Sequence, residues 1–264
     1  MEKDINDLKV FLSGRNNSKP IVFIHGFPYD HLMWKDQFEE FRKNYLCVSY
    51  DIRGLGESSA GDGQFTMETF VDDLERIIDE LMLEKPVLCG LSMGGYISLR
   101  AMERFQNKFS ALILCDTKSE ADNNEGKLKR TAAIKQINSG KFDEFIEAFV
   151  RNCFSKRFVK DNSVNYRKVV DRSKKNSPVG VKGCMLAMLG RTDTTENLNK
   201  IILPTLVLCG SEDKLSPPDV MKSMSDKIPK ASFVLIQNAG HMTPIEQPEE
   251  VNKAIKEFLE YVNY

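Results

Sequence analysis

The sequence predicts an α/β protein built on a doubly wound, mostly parallel sheet, with a helical segment inserted between its two halves. Three observations carry that expectation. Short apolar runs rich in β-branched residues alternate with longer helical patterns through most of the chain, the pattern of repeated strand–helix units. Those runs are nearly continuous in hydrophobicity, as strands covered on both faces must be. The alternation stops between about Thr117 and Thr195, where only helical patterns occur. The expected division is a core of 1–116 and 196–264 and a helical cap of 117–195.

In chain order, buried strands are expected at PIVFIH (20–25), YLCVSYD (45–51), KPVLCGL (85–91), ALILCD (111–116), PTLVLCG (204–210) and SFVLIQ (232–237). Helices are expected at 67–83, 93–105, 216–227 and 248–262, and the stretch DHLMWKDQFEEF also reads as a helix, with His31 near its start as a surface residue. Helix 248–262 opens with Pro248 and Glu249–Glu250, which suits a helix N-terminus because proline sacrifices no bonded amide there and carboxylates meet the positive end of the dipole. Within the insertion, helical patterns fall near 125–138, 142–154, 163–174 and 179–190. No repeat or low-complexity tract interrupts them.

Composition narrows the function. A chain of 264 residues with 41% hydrophobic content can bury the core of one α/β domain with an insertion. Net charge is −1 with both signs interspersed, which argues against nucleic-acid partners, since these need a concentrated basic face. The insertion alone carries 17 lysines and arginines against 9 aspartates and glutamates, a net +8, leaving −9 for the rest. No apolar run approaches the roughly 20 residues of a membrane helix. The polar, acidic start MEKDINDLKV lacks the basic and apolar regions of a secretory signal, so a cytoplasmic location is expected. Cys47, Cys89, Cys115, Cys153, Cys184 and Cys209 form no C-x-x-C pair, and only three histidines exist. Buried free thiols are expected, not a zinc site.

The stretch GLSMG (90–94) places Ser92 directly after a strand and directly before a helix. Ser92 can be an ordinary helix N-cap or a nucleophile raised above the sheet on a tight turn, whose flanking positions must be small; Gly90 and Gly94 meet that need. A serine needs a base. His25 ends a strand, His31 starts a helix, and His241 lies in NAGHMTPIEQPEE, a loop after the last strand. Loops at the carboxyl ends of strands gather the chemistry of α/β proteins, which favours His241. An orienting carboxylate is available in CGSEDKLSPP: Asp213 first, with Glu212 beside it and Asp116 at another strand end as alternatives. Each is otherwise a turn or cap carboxylate. An oxyanion would need amide donors. Met93 follows the serine, and Phe27 lies in FIHGFPYD, where Gly26 permits close approach and Pro28 stiffens the loop.

Four signals in order, HGFP (25–28), DIRGLGES (51–58), GLSMGG (90–95), and GSEDKLSP (210–217) with GHMTPIEQPEEV (240–251), resemble the α/β-hydrolase superfamily. The resemblance spans nearly the whole chain, and 117–195 lies where that superfamily carries a helical cap. The nearest subgroup holds carboxylesterases, 3-oxoadipate enol-lactonases and cofactor-free haloperoxidase-like enzymes. It implies Ser92 as nucleophile, His241 as base, Asp213 as acid, and Phe27 and Met93 as oxyanion amides. Asp51 and Arg53 would anchor a turn; a phosphate-cradle reading of that segment lacks its third glycine.

The resemblance implies a carboxylesterase acting on small to medium acyl chains, with no metal or organic cofactor. A lactone hydrolase of the enol-lactonase type is the alternative, with perhydrolysis as a side reaction suggested by Pro28. A C–C bond hydrolase and a non-catalytic receptor of the same fold are weaker readings. A dehalogenase would need aspartate at position 92. Met185 and Met188, at helical spacing with Leu186 and Leu189, read first as core and second as the lining of an acyl pocket. The partner is a small-molecule ester or lactone, with a homo-oligomer left open.

Overall fold

The computed structural model describes residues 1–15 and 17–264. Among these, eight strands form one sheet in the order β1-β2-β4-β3-β5-β6-β7-β8. They are β1 (Glu2–Ile5), β2 (Leu8–Ser13), β3 (Pro20–Ile24), β4 (Leu46–Tyr50), β5 (Val87–Leu91), β6 (Ala111–Cys115), β7 (Thr205–Gly210) and β8 (Ala231–Ile236). From β4 across to β8 every pairing is parallel; β1 and β2 are antiparallel. Strands β3 to β7 are buried along their whole length. Helices on both faces explain why those five runs read as continuous apolar segments.

The chain leaves β3 toward β4 on one side and later returns as β5 on the other. That reversal of direction opens a crevice beyond the carboxyl ends of β3 and β5. Two sequence motifs, one ending at Gly26 and one at Ser92, therefore arrive at the same place.

The helices on the sheet are α1 (Lys35–Phe41), α2 (Met67–Glu80) and α3 (Met93–Phe105). Between β6 and β7 come α4 (Asn124–Asn138), α5 (Phe142–Cys153), α6 (Lys156–Asp161), α7 (Ser163–Ser173) and α8 (Pro178–Leu189). After β7 follow α9 (Pro218–Asp226), a short α10 (Thr243–Glu246) and α11 (Pro248–Tyr261). Helix α8 sits close on the core: a Cβ at Gly180 would lie 1.9 Å from Gly54 O, and one at Gly183 2.6 Å from Gly63 O. Glycine is required there because backbone meets backbone.

Four elements differ from the sequence reading. Strands β1 and β2 form a hairpin that was not expected, because β1 is almost wholly exposed and lacks an apolar face. Its turn is made by Asn6 and Asp7, at φ +51° and +65°, the left-handed pair a two-residue hairpin demands. Helix α6 was missed for its brevity, although Ser155 caps it by accepting the Phe158 N–H at 3.1 Å. The 232–237 run is an edge strand and not a buried one; Leu235 is 38% exposed. The helix expected from Asp30 opens instead with a 3-10 turn over His31–Trp34. No helix among the described residues is long and apolar enough to cross a membrane.

Candidate active site

Ser92 alone makes the turn between β5 and α3. Its backbone lies at φ +54° and ψ −112°, a region that side-chain-bearing residues avoid. Its hydroxyl makes no capping hydrogen bond to α3, so the N-cap reading is set aside. Two glycines permit the turn. A Cβ at Gly90 would stand 2.4 Å from Gly94 O, and one at Gly94 would stand 2.3 Å from Ile24 O. The serine backbone is held from the neighbouring strand end: its N–H donates to Cys115 O at 3.0 Å, and its carbonyl accepts the Thr117 hydroxyl at 2.8 Å.

The loop after β3 closes on this turn. A Cβ at Gly26 would come within 2.8 Å of Leu91 Cδ2 and 3.3 Å of Ser92 Cβ, so the backbone of the HGFP segment passes directly beside the serine. The Phe27–Pro28 peptide is cis. Among the described residues, neither Phe27 N–H nor Met93 N–H donates to a protein acceptor. Met93 is the first residue of the 13-residue helix α3, whose N-terminal amides favour negative charge.

Asp213 and His241 meet as expected: Asp213 Oδ2 lies 2.8 Å from His241 Nδ1, with both residues buried. The other carboxylate oxygen accepts Leu215 N–H at 2.8 Å and Ser216 N–H at 3.1 Å. With Nδ1–H donated to the carboxylate, Nε2 keeps its lone pair. Burial by itself would lower the histidine pKa, but the charge and hydrogen bond of Asp213 outweigh it, and the net direction is upward. Glu212 is exposed and its N–H is used by Ala239 O at 2.8 Å; it does not pair with the histidine.

The other two histidines are already occupied. His25 is fully buried; Ile52 N–H donates to its Nε2 at 2.8 Å, which leaves Nδ1–H to donate to Gly26 O at 2.9 Å. Burial lowers its pKa, and it serves as a neutral brace between two loops. His31 is not the free surface residue the sequence suggested. It stacks on Phe11 with ring centroids 3.4 Å apart, and its Nδ1 meets Asp51 at 2.9 Å. Asp51 also accepts Glu57 N–H at 2.8 Å, and Arg53 makes a two-pronged ion pair with Asp73 at 2.7 and 2.9 Å. These two residues anchor the DIRGLGES turn.

Two carboxyl groups flank the Asp213–His241 pair. Glu246, buried on α10, accepts Gly240 N–H at 2.9 Å and Ser155 N–H at 3.0 Å. His241 N–H donates to Cys153 O at 2.8 Å. The histidine loop is thus bonded to the α5–α6 junction. Nothing in the spacing of HMTPIEQPEE marks Glu246 for this task, since its partners are 6 and 91 residues away. Asp116 stands beside Asp213, with ligand atoms of Asp116, Cys209 and Asp213 all within 4.8 Å of one another. Cys209 Sγ donates to carbonyls at 3.4 and 3.5 Å, and both carboxyl groups accept hydrogen bonds. The three groups read as a hydrogen-bond network.

All six cysteines are free and buried. Met185 and Met188 are buried on α8, while Leu186 of the same segment is 48% exposed. A groove of about 1030 Å³ along β8 and α11 is lined by none of the residues named above as catalytic candidates.

A family model described as alpha/beta hydrolase fold matches residues 19–248. The chain is 28% identical to 3-oxoadipate enol-lactonase 1 of Acinetobacter baylyi, over 97% of this chain and 94% of that protein. It is also 28% identical to the AB hydrolase superfamily protein YisY of Bacillus subtilis, over 94% of each. The solved structure of a thermophilic esterase from Thermogutta terrifontis, with malate bound, matches with a TM-score of 0.93 at 33% identity, covering 100% of this chain and 99% of that one.

Proposed function

The chain belongs to the α/β-hydrolase fold family, and from that premise we propose that it is a serine hydrolase cleaving carboxylic esters through an acyl-enzyme on Ser92. The observation that carries this reading is the Ser92 backbone at φ +54°, with its hydroxyl uncommitted to the helix it precedes. Strain of this kind persists only where the surroundings enforce it, and Gly90, Gly94, Cys115 and Thr117 do so here.

In this reading His241 Nε2 removes the Ser92 proton as the hydroxyl attacks the ester carbonyl. Asp213 holds the imidazole in the required tautomer and stabilises the imidazolium that forms. The Phe27 and Met93 amides receive the developing oxyanion. The proton then passes from His241 to the leaving alcohol, and water repeats the sequence to release the acid. The residues 117–195 act as a cap that sets substrate choice, with Met185 and Met188 as candidate lining of the acyl pocket.

The +8 charge of that segment favours a second reading, an anionic enol-lactone as substrate, because a basic surface raises the local concentration of anions. Similarity to the Acinetobacter baylyi enol-lactonase supports it. The test of the main reading is Ser92→Ala, which should abolish p-nitrophenyl butyrate hydrolysis in a folded protein. Turnover retained by that variant overturns the nucleophile assignment. Rates on an acyl-chain series beside a carboxylated enol-lactone separate the two substrates.

A further inference from the structure

The end of β6 bonds to Ser92 and to the segments that carry Asp213 and His241. Cys115 O accepts Ser92 N–H at 3.0 Å, and Thr117 Oγ1 donates to Ser92 O at 2.8 Å. Between them, Asp116 is fully buried and held at φ +44°. Its own N–H donates to Leu208 O at 2.9 Å. One carboxyl oxygen accepts Gly210 N–H at 2.9 Å, and the other is bonded to the Thr243 hydroxyl. Gly210 begins the loop that carries Asp213 and itself accepts Asp213 N–H at 3.1 Å. Thr243 stands two residues after His241.

Resting on the triad reading, we propose that Asp116 is a positioning residue: its carboxyl group clasps the root of the Asp213 loop to the root of the His241 loop, and fixes both against the strand end that holds Ser92. One buried side chain thereby gives acid, base and nucleophile a common reference. Misplacing such groups by about 1 Å costs on the order of 100-fold in rate.

The titratable groups facing Asp116 are Asp213, His241, Cys115 and Cys209. Burial and the negative charge of Asp213 push its carboxyl well above the usual carboxylate range. One carboxyl oxygen takes the Gly210 N–H and the other accepts the Thr243 hydroxyl.

The experiment compares kcat, KM and pH profiles of Asp116→Asn, Asp116→Ala, Thr243→Val, the Asp116→Ala/Thr243→Val double variant and Ser92→Ala on p-nitrophenyl butyrate, with folding followed by near-ultraviolet circular dichroism. Asp116→Ala should lower kcat about 10- to 100-fold with little change in KM. Asn keeps an acceptor for Gly210 and a polar partner for the Thr243 hydroxyl, so it should recover most of that loss. Thr243→Val should lower kcat, and the double variant should be no worse than Asp116→Ala alone.

Wild-type kcat in folded Asp116→Ala overturns the clasp, as do additive losses in the double variant. Should Asp116→Ala fail to fold, wild-type kcat in Thr243→Val overturns it equally. Turnover in Ser92→Ala overturns the triad reading and the clasp with it. An inactive Ser92→Ala beside a fully active Asp116→Ala overturns the clasp alone.

Discussion

Asp213 Oδ2 and His241 Nδ1 lie 2.8 Å apart across 28 residues of chain, in a contact from which water is excluded. The remaining oxygen of the same carboxylate is fixed by two backbone amides of its own loop. The carboxylate therefore cannot rotate without giving up charge-assisted hydrogen bonds, each worth about 1.5–3 kcal/mol. An orientation held this firmly has consequences for rate.

Asp213→Asn should keep the fold and lower kcat by as much as about 10⁴-fold, because the amide offers its N–H and favours the wrong imidazole tautomer. Glu212→Gln should leave the rate unchanged. Steady-state kinetics on a p-nitrophenyl ester decide it; the reverse order would move the orienting role to Glu212.

The pH dependence follows from the same pair. The base must be neutral to accept a proton, and Asp213 raises the His241 pKa above its ordinary 6.5 despite the opposing effect of burial. Activity should therefore be present on the alkaline side and fall as pH drops through that raised value. Removing the carboxylate charge with Asp213→Asn should move the acid limb to lower pH even as the maximum rate falls. A kcat/KM profile of both proteins reads this directly.

Gly94→Ala places a methyl group 2.3 Å from Ile24 O, a backbone atom that cannot swing aside. The turn at Ser92 must shift to accept it. Overpacking of this kind costs about 1–3 kcal/mol, so the urea midpoint should fall. Labelling of Ser92 by a fluorophosphonate should be lost even where the protein remains folded.

Glu246→Ala removes the acceptor of two buried backbone amides, those of Gly240 and Ser155. Each unsatisfied group costs about 1–3 kcal/mol. Urea denaturation should show a loss of about 2–6 kcal/mol for the two groups together, and kcat should fall because the histidine loop loses one of its ties to the α5–α6 junction. A stable but slow enzyme would assign Glu246 to positioning alone; unchanged stability and rate would remove it from both.

The parallel core and the candidates Ser92, Asp213 and His241 were legible in the chain because each leaves a local mark. Buried strands such as Val87–Leu91 must be apolar on both faces, and an exposed-polar residue at their ends stands out. The glycines at 90 and 94 are demanded by a turn that spans only a few residues. The hairpin of β1 and β2 left no such mark, since Glu2–Ile5 is solvated and only Asn6–Asp7 hinted at a turn. The edge position of β8 was also invisible: SFVLIQ is as apolar as a central strand, and only the strand order exposes it.

What the sequence by itself determined is the set of candidate reactive groups and the elements that carry them. Tertiary structure decided which of the alternatives meet. It chose Asp213 over Glu212 by turning one toward His241 and leaving the other in water. It occupied both nitrogens of His25, bound His31 to Asp51, and drew Asp116 into a clasp between two loops 94 and 127 residues away. Residue type and spacing set what a side chain can do within its own turn or strand. Partners separated by that much chain are selected only when the sheet order closes and burial leaves each polar group one place to bond.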